Sequence, residues 1–250
     1  MDKVMNPAPP TGKSTITISE SSPTYHHNQF FLNMSTQAPA TTTPSLHPLP
    51  LTLIVAATSS SLAIGRSGGL PWRIKADMAF FARITKRVPL TALPSTPTLS
   101  PTPIHNAVIM GHKTYLSIPP KFRPLPDRIN VVLSRNPDSI SAPDNVLRAS
   151  GIEEAVKMLQ ERGDVAKVWV IGGGEVYKAA LEWEGAKEIV LTRVENEVEG
   201  CDTFFPVRLG EEGEWKRVPH EEFEEVVEEQ IPRGVQEEGE WKFEFQLWRK

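Results

Sequence analysis

Short runs of apolar, largely β-branched residues alternate with stretches of helical periodicity along most of this chain, and few folds accept that order. Leu51 to Thr58 (LTLIVAAT), Asn106 to Met110, Arg128 to Ser134 (RINVVLS), Val168 to Ile171 and Glu188 to Arg193 read as strands. Between them, Asp77 to Arg87, Gly111 to Ser117, Ile152 to Leu159 and Glu175 to Leu181 read as helices, the first with Met78, Phe81 and Ile84/Thr85 on its apolar face. The strands are continuous apolar runs, so both of their faces must be covered. The pattern predicts an α/β fold with a largely parallel sheet between two helical layers. The last stretch departs from it. Phe223 to Ile231 and Trp241 to Trp248 read as two long strands joined by a charged turn at 234–239, an antiparallel C-terminal hairpin.

Residues 1–49 are rich in Pro, Ser and Thr with no sustained apolar period. Such a segment cannot bury enough surface to offset backbone ordering, so a disordered tail is expected before a folded domain at 50–250. A second unusual segment, 88–105, holds five prolines and almost no charge and reads as a surface insertion. A net charge of −4 leaves no electrostatic footprint for nucleic acid. No run reaches the roughly 20 apolar residues of a membrane span. The single cysteine, Cys201, excludes an internal disulfide framework and reads as packing in a reducing compartment. The tail lacks the basic head and apolar core of a secretory signal and holds no Arg, so cytosol is the expected compartment, with mitochondria second. No paired His or Cys stands at metal-ligand spacing, and no metal is expected.

Chemistry gathers at three places. Ile64-Gly65-Arg66-Ser67-Gly68-Gly69-Leu70-Pro71-Trp72 puts a glycine-rich loop and an indole after the first strand, with Asp77 five residues on. Asp77 reads either as an ordinary first-turn helix carboxylate or, given Ile74, Met78, Phe80 and Phe81 nearby, as an acid that grips a heterocycle through two parallel hydrogen bonds. Gly172–Gly174 ends the apolar run Val168–Ile171 and opens a helix. It suits either a tight turn or a phosphate cradle, and it lacks the dinucleotide fingerprint GxGxxG. His112, Lys113, Ser134 and Arg135 read as a solvated charged face or as a phosphate clamp. Arg128, flanked by Ile129 and Val131, wants a planar carboxylate partner, internal or from a ligand.

Taken in order, IVAAT, IG-x-x-G-x-LPW, the acid heading the first helix, VIMGHKTY, RPLPDRINVVLSR, V-x-VIGGGEVY, LTR and DTFFP resemble the monofunctional, eukaryotic-like dihydrofolate reductases over residues 51–250. The resemblance implies a central, mostly parallel eight-stranded sheet in a three-layer sandwich and NADPH-dependent reduction of 7,8-dihydrofolate. It gives the chemistry to Asp77, Trp72, Leu70 and Thr192. It gives substrate contacts to Ile54, Val55, Phe81, Ile118, Arg123, Leu125, Arg128 and Ile171, with Arg128 on the tail carboxylate. NADPH falls to Ala56, Ile64, Gly65, Gly68, Gly111, His112, Lys113, Thr114, Leu133, Ser134, Arg135 and Ile171, and to the run Gly172, Gly173, Gly174, Glu175, Val176 and Tyr177. A cis Gly172–Gly173 bond, antifolate sensitivity and a monomer are also implied. The chain departs from the family by one extra residue within Ser59–Ser61, by Ala63 and Gly69 in the lid, and by His112 where a basic residue is common. Two rivals remain: a non-catalytic folate- or nucleotide-binding protein on this fold, and a riboflavin-pathway reductase. The second would lack the LPW–Asp pairing and the tail arginine.

Overall fold

The computed structural model describes residues 49–93, 103–210 and 213–250. The tail expectation, apart from Leu49, and much of the insertion expectation lie outside them.

The centre is a run of six parallel strands. In spatial order these are β7 (Ala186–Val194), β1 (Leu51–Thr58), β6 (Val165–Val170), β3 (His105–Gly111), β4 (Arg128–Leu133) and β5 (Val146–Ala149). Beside β7 the sheet turns antiparallel, with β11 (Trp241–Arg249) and then β10 (Gln236–Glu238), which completes eight strands. A two-residue strand, β9 (Lys216–Arg217), also pairs with β11. Apart from this sheet, β2 (Ala63–Gly65) and β8 (Thr203–Phe204) form a small antiparallel ribbon.

The continuous apolar runs are explained by burial on both sides. Along β1, Leu51, Leu53, Val55 and Ala57 point into one core and Ile54 into the other. In β3, Ala107 and Ile109 oppose Val108 and Met110, and in β6 Val168 and Val170 oppose Trp169. The period of two sorts each strand between two cores. The first core is roofed by α3 (Ile152–Arg162) and α4 (Gly174–Glu182) through Ala155, Val156, Leu159, Tyr177 and Ala180. The second is roofed by α1 (Lys75–Lys86), α2 (His112–Ser117) and α5 (His220–Val227) through Phe80, Ile84, Tyr115, Phe223 and Val227. This is the expected three-layer sandwich. Each fully buried aromatic or branched side chain contributes about 1.5–3 kcal/mol.

Five elements differ from the sequence reading. Residues 223–231 are not a strand, since α5 occupies 220–227 and buries Phe223 and Val227 one helical turn apart. That leaves β10 as the short partner of β11, so the hairpin turn falls at Gly239–Glu240. The buried stripe of α1 is Asp77, Phe80 and Ile84 rather than Met78 and Phe81, and Met78 is 49% exposed. The stretch 59–72 holds a strand, β2, inside what read as a loop. β5 went unread because it has only four residues, one of them Arg148, whose guanidinium bonds the Ile140 and Ala142 carbonyls. Cys201 is half-buried.

Candidate active site

Asp77 stands in the first turn of α1 with only 8% of its surface exposed. Its Oδ1 accepts a 2.7 Å hydrogen bond from the hydroxyl of Thr192 on β7, and among the described residues no cation pairs with it. Burial disfavours the charged carboxylate more than the Thr192 bond favours it, and the pKa rises to about 6. Trp72, three residues before Lys75, is also buried, and its indole N–H has no acceptor among the described residues. An acid that shares its proton near neutrality and a free buried donor thus face one compartment.

The walls of that compartment are the second core. Ile54, Trp72 and Leu125 belong to it, and Ala56, Phe81, Ile118 and Ile171 pack against it. Strand pairing sets Ala56 opposite Thr192. Leu125 is brought in by Asn130, whose side-chain amide bonds both the N–H (2.9 Å) and the carbonyl (2.8 Å) of Leu125. Val55, grouped with these residues from sequence, turns its side chain into the opposite core.

Arg128 lies at the start of β4. It donates to Thr85 Oγ1 (2.7 Å) and to the Pro126 carbonyl (3.0 Å), and its guanidinium lies 5.9 Å from the centre of the Phe81 ring. Burial lowers its pKa to about 10, against the charge of the neighbouring Asp127. It has no ion pair among the described residues, none of which supplies the carboxylate partner its sequence context called for. Arg123 is placed otherwise. Its guanidinium bonds the Leu116 carbonyl at 2.8 Å and stacks 5.4 Å from Tyr115, closing the end of α2.

The carboxyl ends of the parallel strands carry the glycine turn and the basic groups. Gly111 N–H bonds the Gly172 carbonyl (2.8 Å), which ties the ends of β3 and β6 together. The Gly172–Gly173 peptide is cis, as the resemblance implied. Gly172 has φ +97°, and a Cβ there would lie 2.7 Å from the Tyr177 ring, so no other residue fits. The Tyr177 hydroxyl donates to the Ile54 carbonyl at 2.6 Å. Gly173, Gly174, Glu175 and Val176 continue this turn into α4, while His112, Lys113 and Thr114 open α2. Ser134 and Arg135 follow β4, and Lys113 and Arg135 are exposed and enter no ion pair among the described residues. Ile64 and Leu133 are nearly buried in the first core, so little of their side chains is accessible.

Over this edge lies the segment carrying Leu70, 52% exposed. It is better anchored than its glycines suggest. β2 pairs with β8, and Arg66 and Gly69 exchange backbone hydrogen bonds across a turn at Ser67–Gly68. Asp202 Oδ2 accepts the Ser67 N–H at 2.8 Å, and Asp202 N–H returns a bond to the Gly65 carbonyl at 3.1 Å. At the root, Glu197 accepts from the Ser60 N–H (2.8 Å) and the Ser61 hydroxyl (2.6 Å). Asp202 and Glu197 were not singled out from sequence, although Asp202 begins the DTFFP segment.

A separate cavity of about 570 Å³ lies on the other side of the sheet, between Leu191, Phe205, Leu209 and Trp248. None of the residues above that surround Asp77 lines it, so the active-site assignment rests on chemistry rather than on cavity volume. Among the described residues no cluster of three or more His, Cys, Asp or Glu could hold a metal.

A family model described as dihydrofolate reductase matches residues 100–237. Dihydrofolate reductase from Heliothis virescens is 38% identical over 199 residues, covering 79% of this chain and 96% of that protein. The Pneumocystis carinii dihydrofolate reductase is 34% identical over 209 residues, covering 80% of this chain and 96% of its own. The solved Schistosoma mansoni dihydrofolate reductase superposes with a TM-score of 0.63 at 31% identity, over 81% of this chain and 99% of that one.

Proposed function

The chain belongs to the dihydrofolate reductase family, an oxidoreductase family reducing dihydrofolate to tetrahydrofolate, and from that premise we propose that it reduces 7,8-dihydrofolate at C6 with NADPH as hydride donor. The observation that carries the reading is the buried Asp77–Thr192 pair, an acid set in the apolar compartment without a cation partner among the described residues.

Asp77 holds the 2-amino and N3 edge of the pteridine through two parallel hydrogen bonds and favours protonation at N5. Thr192 and the free indole N–H of Trp72 hold water beside it. Phe81, Ile118 and Leu125 enclose the ring system, and Arg128, with no carboxylate partner among the described residues, grips the α-carboxylate of the substrate tail. Tyr177 leaves one lone pair of the Ile54 carbonyl free for the amino group of the ring. Leu70 and the turn at Ser67–Gly68 exclude water from the reacting centre.

The edge of the sheet suits NADPH. The glycines at 111 and 172–174 leave backbone room that side chains would fill, and exposed Lys113 and Arg135 are available to phosphates, Arg135 to the 2′-phosphate. When bound, NADPH supplies the hydride. We assign this reductase domain to residues 50–250 and read it as a monomeric cytosolic enzyme sensitive to antifolates. No helix among the described residues is long and apolar enough to cross a membrane.

The test is the loss of NADPH absorbance when 7,8-dihydrofolate is added to purified protein. Rapid oxidation, blocked by methotrexate and slower with NADH, is the expected result. Binding of both ligands without turnover would overturn the reading in favour of a binding protein.

A further inference from the structure

Helix α1 begins without a cap of its own. Ile74 occupies the capping position and has no side chain to accept from the first turn. The acceptor comes instead from β10. Glu238 Oε1 takes the N–H of Lys75 at 2.8 Å, and Oε2 takes the N–H of Ala76 at 2.9 Å. Asp77 is the next residue. The neighbouring residue of the same hairpin, Trp241, packs on Trp72, with ring centres 6.4 Å apart and planes at 57°. The hairpin therefore holds the segment 72–76 from both ends.

This placement has an electrostatic consequence. An uncapped helix N-terminus carries about half a positive charge and stabilises a carboxylate in the first turn. Left alone, it would favour the ionised form of Asp77 and lower the pH at which that carboxyl can take up a proton. The Glu238 carboxylate sits on that positive end and cancels it. Those same two N–H bonds hold the Glu238 carboxyl below the usual carboxylate range, so it stays charged across the working range. The other ionisable groups around Asp77 do not take over this role. Tyr177 of α4 is neutral and pushed upward by burial and by Asp77 itself. Lys75 is exposed on the same helix. His105 of β3 lies by Asp127, at the far end of the helix. β1, β7 and β11 offer Ile54, Thr192 and Phe245.

We propose that Glu238 is a positioning residue for the reaction, which acts through the N-terminus of α1 to keep Asp77 protonatable near neutrality. This rests on the role given to Asp77 above. The test is the Glu238→Gln variant of the full chain, with Glu237→Gln as a control for equal loss of charge one residue away. The midpoint of the Asp77 carboxyl is followed by carbon-13 NMR, alongside the pH profile of dihydrofolate reduction. In Glu238→Gln the midpoint should fall by about half a pH unit, and the alkaline limb of the rate profile should move down with it while the NADPH KM holds. Glu237→Gln should move neither. An unchanged midpoint in Glu238→Gln, or an equal shift in both variants, would overturn the proposal. Should Glu238→Gln fail to fold, Glu238→Asp, whose shorter arm loosens both bonds, is titrated instead against the same expectation of a lowered midpoint. If wild-type protein does not turn over dihydrofolate, the functional reading fails, yet the NMR midpoints still decide the role of Glu238.

Discussion

Two carboxylates meet strand β7, half-buried Glu188 on the strand itself and buried Asp77 across from it on α1, and they have opposite surroundings. At its beginning, burial alone would raise the carboxyl of Glu188. The charge of Lys167 and hydrogen bonds from Arg249 and Lys167 outweigh it, and the pKa falls below its ordinary value. Four residues on, Thr192 reaches across to Asp77, which has one hydroxyl for a partner, and there burial wins. The first is a compensated ion cluster tying β6, β7 and β11 together. The second is left uncompensated, which costs stability and keeps a proton at hand. Both are carboxylates at strand β7, the ion-paired one half-buried and the unpaired one buried, and the presence of a cation separates structure from chemistry.

The sharpest way to break this contrast is to neutralise each acid. Asp77→Asn should lower dihydrofolate turnover at neutral pH by about 10²–10⁴-fold, with partial recovery as the substrate is protonated at lower pH. Loss of NADPH absorbance measures it, and near-normal turnover would remove Asp77 from the reaction. Arg128 is the cationic counterpart of Asp77, half-buried and without a carboxylate partner among the described residues. Arg128→Leu should weaken dihydrofolate binding by about 10–100-fold with NADPH affinity unchanged. Equal losses for both ligands in a fluorescence titration would contradict the tail-carboxylate role.

Stability reverses the order of the two acids. Glu188→Gln should cost about 1–2 kcal/mol in urea unfolding, because Lys167 and Arg249 lose their shared partner, and should leave turnover intact. Asp77→Asn should stabilise. The unfolded value of Asp77, 3.8, lies below its folded value of about 6, so as pH rises the unfolded chain releases its proton first. The wild-type fold therefore loses stability between about pH 4 and 6 and carries the penalty above that window. The Asn variant should be about 1–3 kcal/mol more stable at pH 7 and no more stable at pH 4. The smallest effect belongs to the lid, where Asp202→Ala releases the Ser67 N–H. A drop of about 3–10-fold in turnover, with little change in the melting temperature, is the expected outcome.

The central strands were legible because burial on both faces leaves no polar residue to interrupt them, as in LTLIVAAT. α3 was legible because its apolar period is complete and Gly163 ends it at φ +72°. α5 was not. Its acids stand on both sides of Phe223, and two buried positions one turn apart were too few to separate helix from strand. Asp77 was legible only in company with the LPW segment, since a lone carboxylate in a first helical turn is commonplace. Glu238 gave no signal, because its partners are backbone N–H groups brought near by the fold. The same holds for Glu197 at the root of the lid. Side chains that act on backbone leave no pairing pattern in the sequence.

Strand β1 carries Ile54 and Ala56 to the site, and both of its neighbours come from late in the chain: Leu51 pairs with Val168 on one side, and Leu53 with Ile189 on the other. During synthesis this run of apolar residues waits for both flanks, its edges open to any other strand. Long-range parallel pairing is slow, and such a segment invites aggregation while it waits. Residues 51–58 therefore stay open to wrong pairing until β6 and β7 have emerged.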